Sequence, residues 1–170
     1  MEESLAIEVG RLLREKGMKL MVSESCTGGL VGNMITDIPG SSDYYLGSVT
    51  AYAYEAKEKL LGVSHETLTR YGAVSRETAL EMAFGVRNAL SASFPLAQTI
   101  GVSVTGIAGP GGGMPNKPVG LVWIGLSTPD GNWAWHFIWN GNRIENKVAS
   151  ARMALQLVID YLQQNVPPED

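Results

Sequence analysis

The sequence predicts an α/β fold: one three-layer α/β/α domain over residues 1–170, with helices on both faces of a sheet of about five strands. Three observations carry this expectation. Apolar residues recur at intervals of three and four near both ends of the chain and in its middle, as the buried face of a helix requires. Short β-rich runs alternate with those segments, the pattern of strands whose connections return over a sheet. Residues 99–105 are nearly uncharged and β-rich, as a central strand covered on both faces must be.

The elements follow in order. Leu5, Val9, Leu12 and Leu13 fall at helical spacing among Arg11, Arg14, Glu15 and Lys16, so a first amphipathic helix ends at Gly17. Residues 19–23 read as a short buried strand. The next helix begins near Thr27, carries Leu30, Met34 and Ile38 on one face, and stops before Pro39-Gly40. Residues 45–53 read as a strand through Tyr45, Val49, Thr50 and Tyr52. Good helix formers follow to Gly62, which puts Lys57 in the first turns of a helix directly after a strand. A short helix over 64–70 closes at Tyr71-Gly72. Ser75 is the N-cap of a longer helix with Ala79, Ala83, Val86 and Leu90 on one face. The central strand over 99–105 opens into Gly106-Ile107-Ala108-Gly109-Pro110-Gly111-Gly112-Gly113. Residues 119–127 and 133–139 are antiparallel partners about Pro129-Asp130-Gly131-Asn132. Ile144, Val148, Ala151, Leu155, Val158 and Leu162 mark a terminal helix of about six turns. The tail over 167–170 is expected to fray.

Composition narrows the function. The 170 residues are 45% hydrophobic, enough for a core without staples. The single cysteine, Cys26, excludes an internal disulfide and suits a reducing compartment. His65 and His136 stand far apart with no cysteine partners, so no metal site is expected. A net charge of −4 without a basic run argues against a nucleic-acid binder. The acidic start Met1-Glu2-Glu3-Ser4 and the lack of a long apolar block point to a cytoplasmic protein that does not enter membranes.

Four polar clusters fall at strand ends, which converge on one edge of an α/β sheet. The first is Ser25-Cys26-Thr27-Gly28-Gly29, where a strand turns into a helix. Ser25 or Thr27 is an ordinary N-cap there; equally, a nucleophile in that place has backbone donors beside it. Cys26 is a second candidate nucleophile or a small buried residue. The second cluster is Tyr52 with Lys57. A helix lysine is ordinarily solvated, but burial and the helix dipole both favour its neutral form, which accepts a proton from a serine. The Tyr52 phenol is placed to bond both Lys57 and the nucleophile, or else fills the core. The third cluster is Thr105 with the glycine loop (Gly106, Gly109, Gly111), which matches no nucleotide fingerprint. The fourth is Arg143, at the end of a helix that disfavours its charge, which suits a grip on phosphate.

Taken together, Ser23-Glu24-Ser25-Cys26-Thr27-Gly28-Gly29, Pro39-Gly40-Ser41-Ser42, Gly72-Ala73-Val74-Ser75, Thr105-Gly106-Ile107-Ala108-Gly109-Pro110 and Lys117-Pro118-Val119-Gly120 resemble the CinA C-terminal domain family, in order, over about residues 5–163. That family includes nicotinamide-nucleotide amidohydrolases. The resemblance implies hydrolysis of nicotinamide mononucleotide (NMN) to nicotinate mononucleotide and ammonia, a salvage step of NAD metabolism, without a cofactor or metal. It implies Ser25 as nucleophile with Tyr52 and Lys57 as its catalytic partners. Cys26, Thr27, Gly28, Gly29, Thr105, Gly106, Gly109, Gly111 and Arg143 then line the substrate. It also implies a homo-oligomer, a dimer or larger. One departure bears on activity: between Tyr52 and Lys57 the family usually has Ser-Asn, and this chain has Ala53 and Tyr54. A ligand-binding module that has lost turnover, or an amidase for another amide, are the rival expectations.

Overall fold

The computed structural model describes residues 2–169; Met1 and Asp170, the last residue of the tail expected to fray, lie outside them. Helix α1 (Glu2–Lys16) leads into strand β1 (Lys19–Glu24). Helix α2 (Leu30–Thr36), strand β2 (Tyr45–Thr50) and helices α3 (Tyr54–Leu61), α4 (His65–Tyr71) and α5 (Arg76–Asn88) follow. Strands β3 (Thr99–Gly106), β4 (Leu121–Thr128) and β5 (Gly131–Ile138) complete the sheet, and α6 (Arg143–Leu162) closes the chain.

The sheet has five strands in the order β2-β1-β3-β4-β5. β1 runs parallel to both β2 and β3, while β4 and β5 are antiparallel additions. As expected for a central strand, β3 is buried on both faces along nearly its whole length. One face packs α1, α2 and α6 through Leu13, Val31, Ile35, Leu155 and Val158. The other packs α3, α4 and α5 through Leu61, Leu68, Met82 and Val86. α5 lies very close to the sheet because Gly101 and Gly125 have no side chain: a Cβ there would come 2.2 Å from Ala83 O and 2.4 Å from Ala79 O. Among the described residues no helix is long and apolar enough to cross a membrane.

The register explains why the polar clusters meet. Glu24 stands opposite Thr50 of β2 and Val104 of β3, so the three parallel strands end level with one another. β4 begins and β5 ends at that same edge, since Gly106 pairs with Val122 and Leu121 with Ile138. The segments after β1, β2, β3 and β5 therefore leave from one side of the sheet.

Several boundaries differ from the expected ones. β2 stops at Thr50, not near 53: the Ala51 N–H makes a last ladder-type bond to Glu24 O, and the chain then turns toward α3. α2 starts at Leu30, three residues late, because residues 25–29 form a turn with Gly28 and Gly29 at positive φ. β4 starts at Leu121, after Gly120 at φ 90°. α5 ends at Asn88, leaving Leu90 outside it and exposed. The described part of the tail is tied down rather than frayed. Trp135 Nε1 donates to Pro167 O and Pro168 O, while the Glu169 carboxylate accepts from Ala134 N–H and pairs with Arg76.

Candidate active site

Ser25 directly follows β1, and its N–H donates to Val104 O, which fixes it against the central strand. Lys57 is the fourth residue of α3, its N–H closing the first helical bond on Ala53 O. Although its helix lies at the surface, Lys57 is only 1% exposed, and its side chain runs inward beneath the chain reversal after β2. Its Nζ stands 2.9 Å from Ser25 Oγ, 2.8 Å from Ala51 O and 3.0 Å from Tyr52 O. The two carbonyls can only accept, so they take two N–H bonds. In the neutral amine the remaining direction is the lone pair, and it faces the serine hydroxyl. Burial is the main cause of a pKa lowered to about 8. Among the described residues no carboxylate bonds Nζ, and the smaller influence of Cys26 acts against that shift.

The expected N-cap is absent. Gly29 occupies the cap position with φ 102° and offers no side chain. Glu24, fully buried, replaces it: its carboxylate accepts from Val31 N–H at 2.9 Å and Gly32 N–H at 3.1 Å. This releases the Ser25 hydroxyl from capping. Sequence reasoning missed Glu24. The available signal was the pair of glycines where a capping residue is normally required, which demands an acceptor from elsewhere.

Glu24 also decides which backbone donors remain. Gly28 N–H goes to Ser25 O and Leu30 N–H to Thr27 O, while Gly29 N–H reaches no backbone carbonyl among the described residues. Cys26 and Thr27 N–H reach no backbone carbonyl among the described residues. Of these three amides, those of Cys26 and Thr27 follow Ser25 most closely in the chain, where donors to an oxyanion at its hydroxyl would have to stand. The Cys26 thiol is buried and its pKa is pushed up to about 12 by desolvation, which removes it as a nucleophile at neutral pH. The Thr27 hydroxyl is buried and has no partner among the described residues.

Tyr52 differs from expectation. Its side chain is 64% exposed, and its phenol oxygen accepts from Arg143 Nη2 at 3.3 Å. The contact with Lys57 is made by the Tyr52 carbonyl, not by the phenol. Arg143, the first residue of α6, also donates from Nη1 to Gly109 O at 2.7 Å, tying the helix start to the glycine loop. Thr105 Oγ1 is buried and donates to Ala73 O at 2.7 Å.

A cavity of about 190 Å³ is lined by Ser25, Cys26, Tyr52, Lys57, Thr105 and Arg143, with Ala73, Val74, Gly106 and Ala108 completing its walls. All four clusters therefore contribute to one site, but Thr27, Gly28 and Gly29 of the first lie outside its lining and the glycine loop only partly joins it. Gly106 lines the wall and allows close packing, since a Cβ there would meet Val122 at 2.5 Å. Gly109 contributes its carbonyl to Arg143, and Gly111 is exposed and outside the lining. Asn146, missed in the sequence, is buried at the junction, donating to Ala108 O and accepting from Gly141 N–H. Among the described residues no three His, Cys, Asp or Glu side chains are grouped to hold a metal ion.

Comparison with known proteins gives a consistent picture. The family model described as the CinA C-terminal domain matches residues 2–162. A putative competence-damage inducible protein of Halothermothrix orenii is 48% identical over 163 residues, covering 95% of this chain and 38% of that protein. A CinA-like protein of Desulfotalea psychrophila is 45% identical over 158 residues, covering 93% and 37%. The chain thus spans well under half the length of these relatives. The crystal structure of the competence/damage inducible protein CihA from Agrobacterium tumefaciens superposes with a TM-score of 0.84 at 41% identity, over 96% of each chain. A CinA superfamily protein from Klebsiella pneumoniae gives 0.88 at 27% identity, over 96% of this chain and 99% of that one.

Proposed function

The chain belongs to the CinA C-terminal domain family, and from that premise we propose that it hydrolyses the carboxamide of nicotinamide mononucleotide by a Ser-Lys acyl-enzyme mechanism. The observation that carries this reading is the buried Lys57 amine, held 2.9 Å from Ser25 Oγ by two backbone carbonyls. Neutral Lys57 takes the Ser25 proton as Oγ attacks the amide carbon. The carbonyl oxygen of the tetrahedral intermediate gathers charge against the Cys26 and Thr27 N–H groups. The C–N bond then breaks, and the Lys57 ammonium returns its proton to the departing nitrogen, which leaves as ammonia. A water attacks the resulting ester, again losing its proton to Lys57. The C–Oγ bond breaks, Ser25 is reprotonated and nicotinate mononucleotide leaves as its carboxylate. Arg143 and the Tyr52 phenol form the outer wall, positioned to orient the substrate beyond the amide.

The Ala53-Tyr54 departure does not weaken this reading. Ala53 is the N-cap of α3 and supplies no capping bond. The Tyr54 hydroxyl accepts from Ala73 N–H, bracing the loop that lines the cavity. Position 53 bears on the start of α3 and position 54 on the cavity wall through Ala73, while the hydrogen bonds of Lys57 Nζ go to Ser25, Ala51 and Tyr52.

The experiment is ammonia release from nicotinamide mononucleotide by the purified protein, with Ser25→Ala and Lys57→Ala beside it. Turnover in the parent and none in either variant is expected. Turnover retained in Ser25→Ala overturns the scheme. A folded parent that binds the nucleotide without releasing ammonia supports the binding-module reading, and release from another amide moves the substrate assignment there.

A further inference from the structure

We propose that the cavity on the far side of residues 71–75 from Ser25 is a second ligand site, which takes an aromatic carboxylate and acts through that shared wall on the Ser25 cavity. The site rests on its own residues and not on the amidohydrolase reading.

The first ground is the space that the fold leaves open. Gly125 of β4 lies against α5, at Ala79 O. Residues two apart along a strand share a face, so Leu121 and Trp123 lie on the α5 side of the sheet. Their β5 partners, Ile138 and His136, lie there with them. α5 does not close this end of the sheet. The four residues line a cavity of about 530 Å³ together with Val74 and Lys117, and Ile138 is 50% exposed. That volume falls within the ~300–1,000 Å³ of small-molecule sites. The cavity at Ser25, at about 190 Å³, does not.

The second ground is chemistry. Val74 and Leu121 belong to a small buried cluster against which Trp123 packs. The Trp123 and His136 rings stand 5.0 Å apart at an angle of 43°. A floor of this kind takes a planar ring. The Trp123 indole N–H makes no hydrogen bond among the described residues, whereas those of Trp135 and Trp139 do. The charges select the substituent on the ring. Arg76 is already neutralised by Glu169. Glu77 is favoured where it stands, in the first turn of α5. Lys117 is different: its Nζ donates to Tyr71 O, a neutral acceptor, and it joins no ion pair among the described residues. One uncompensated ammonium, without a free guanidinium beside it, suits the single charge of a carboxylate.

The third ground is the wall. Val74 lines both cavities. The bond from Lys117 Nζ to Tyr71 O, 2.5 Å long, holds the start of the segment. Two residues on, Ala73 O accepts from Thr105 Oγ1 and Ala73 N–H donates to the Tyr54 hydroxyl. Gly72, at φ 79°, leaves room for the lysine, since a Cβ there would stand 3.0 Å from Nζ. A carboxylate that takes up Lys117 competes with Tyr71 O. It thereby loosens the segment whose Ala73 and Val74 line the Ser25 cavity.

The test titrates the full chain calorimetrically with benzoate and nicotinate, and with benzamide (the ring without the charge) and acetate (the charge without the ring). Both aromatic carboxylates should bind saturably, with benzamide and acetate roughly tenfold or more weaker, the strength of one charge-assisted contact or of ring burial. Lys117→Gln, checked for native circular dichroism, should bind benzoate no better than benzamide, and Lys117→Arg should keep the preference. Trp123→Leu should weaken both ring-bearing probes. Ser25→Ala and Arg143→Ala should bind benzoate as the parent does. Saturating benzoate should change amide hydrogen exchange at residues 71–75 in the parent and not in Lys117→Gln. No saturable binding by the folded parent, benzamide or acetate binding as tightly as benzoate, or an unchanged preference in Lys117→Gln overturns the site. Binding lost in Arg143→Ala overturns it too, by placing the ligand in the Ser25 cavity. Unchanged exchange at 71–75 with benzoate bound overturns the action on the shared wall.

Discussion

Lys57 Nζ and Ser25 Oγ stand 2.9 Å apart, in a place where the lysine's other two partners are the carbonyls of Ala51 and Tyr52. An all-acceptor shell around two of the three positions on nitrogen makes the third the only route for a proton. The pair needs no histidine, and His65 and His136 do not line this cavity.

The pH dependence follows from the lowered pKa. With Lys57 titrating at about 8, kcat/KM should climb with pH about that midpoint and level off above it, and Lys57→Arg should be inactive at every pH. A pH–rate profile checks this; a flat profile from 6 to 9 removes Lys57 as the base. Stability has its own sign. The folded pKa lies below the ordinary 10.5, so protonating the buried amine opposes folding. That penalty is fully present below about pH 8 and fades as pH rises toward 10.5. Lys57→Met should consequently raise Tm at pH 7 while abolishing turnover.

Glu24→Gln should destabilise the fold by about 2 kcal/mol, because Val31 and Gly32 N–H each use a different carboxylate oxygen, and the variant loses the charge and turns an NH2 donor toward one of them. Chemical denaturation measures the loss. Turnover should fall as well, since the same carboxylate anchors the turn that carries Ser25.

Ala53→Ser should stabilise the protein by about 1 kcal/mol with turnover essentially unchanged, by supplying the cap that α3 lacks. A rise in the denaturation midpoint without a change in kcat is the expected signature. A large change in kcat would instead put position 53 in the chemistry.

Tyr52→Phe should keep the pH midpoint, because Lys57 meets the backbone carbonyl of residue 52 and not its phenol. Its effect should fall on KM, through the lost partner of Arg143. A displaced pH midpoint in this variant would mean that the phenol reaches Lys57 during turnover.

Cys26→Ala should retain turnover, and native protein should resist thiol reagents that modify it once unfolded, since the thiol is buried with its pKa held near 12. Loss of activity in this variant with Ser25→Ala still active would exchange the two roles.

The sequence by itself determined the architecture and pointed to several residues that line one cavity. The periodicities of α1, α5 and α6 and the uncharged run of β3 are local patterns, each written in a few neighbouring residues, so the three layers and the buried strand were legible. The motifs at strand ends named Ser25, Lys57, Thr105 and Arg143, and parallel register brought them to one edge. What only the tertiary structure decided were relationships between residues distant in sequence or set by backbone direction. Glu24 takes over a cap seven residues ahead because two glycines turn the chain at positive φ. The Tyr52 phenol swings to Arg143, 91 positions away, leaving its carbonyl to Lys57. Lys57 owes its lowered pKa chiefly to burial, and burial is a property of everything packed around a side chain, not of the side chain's place in the sequence.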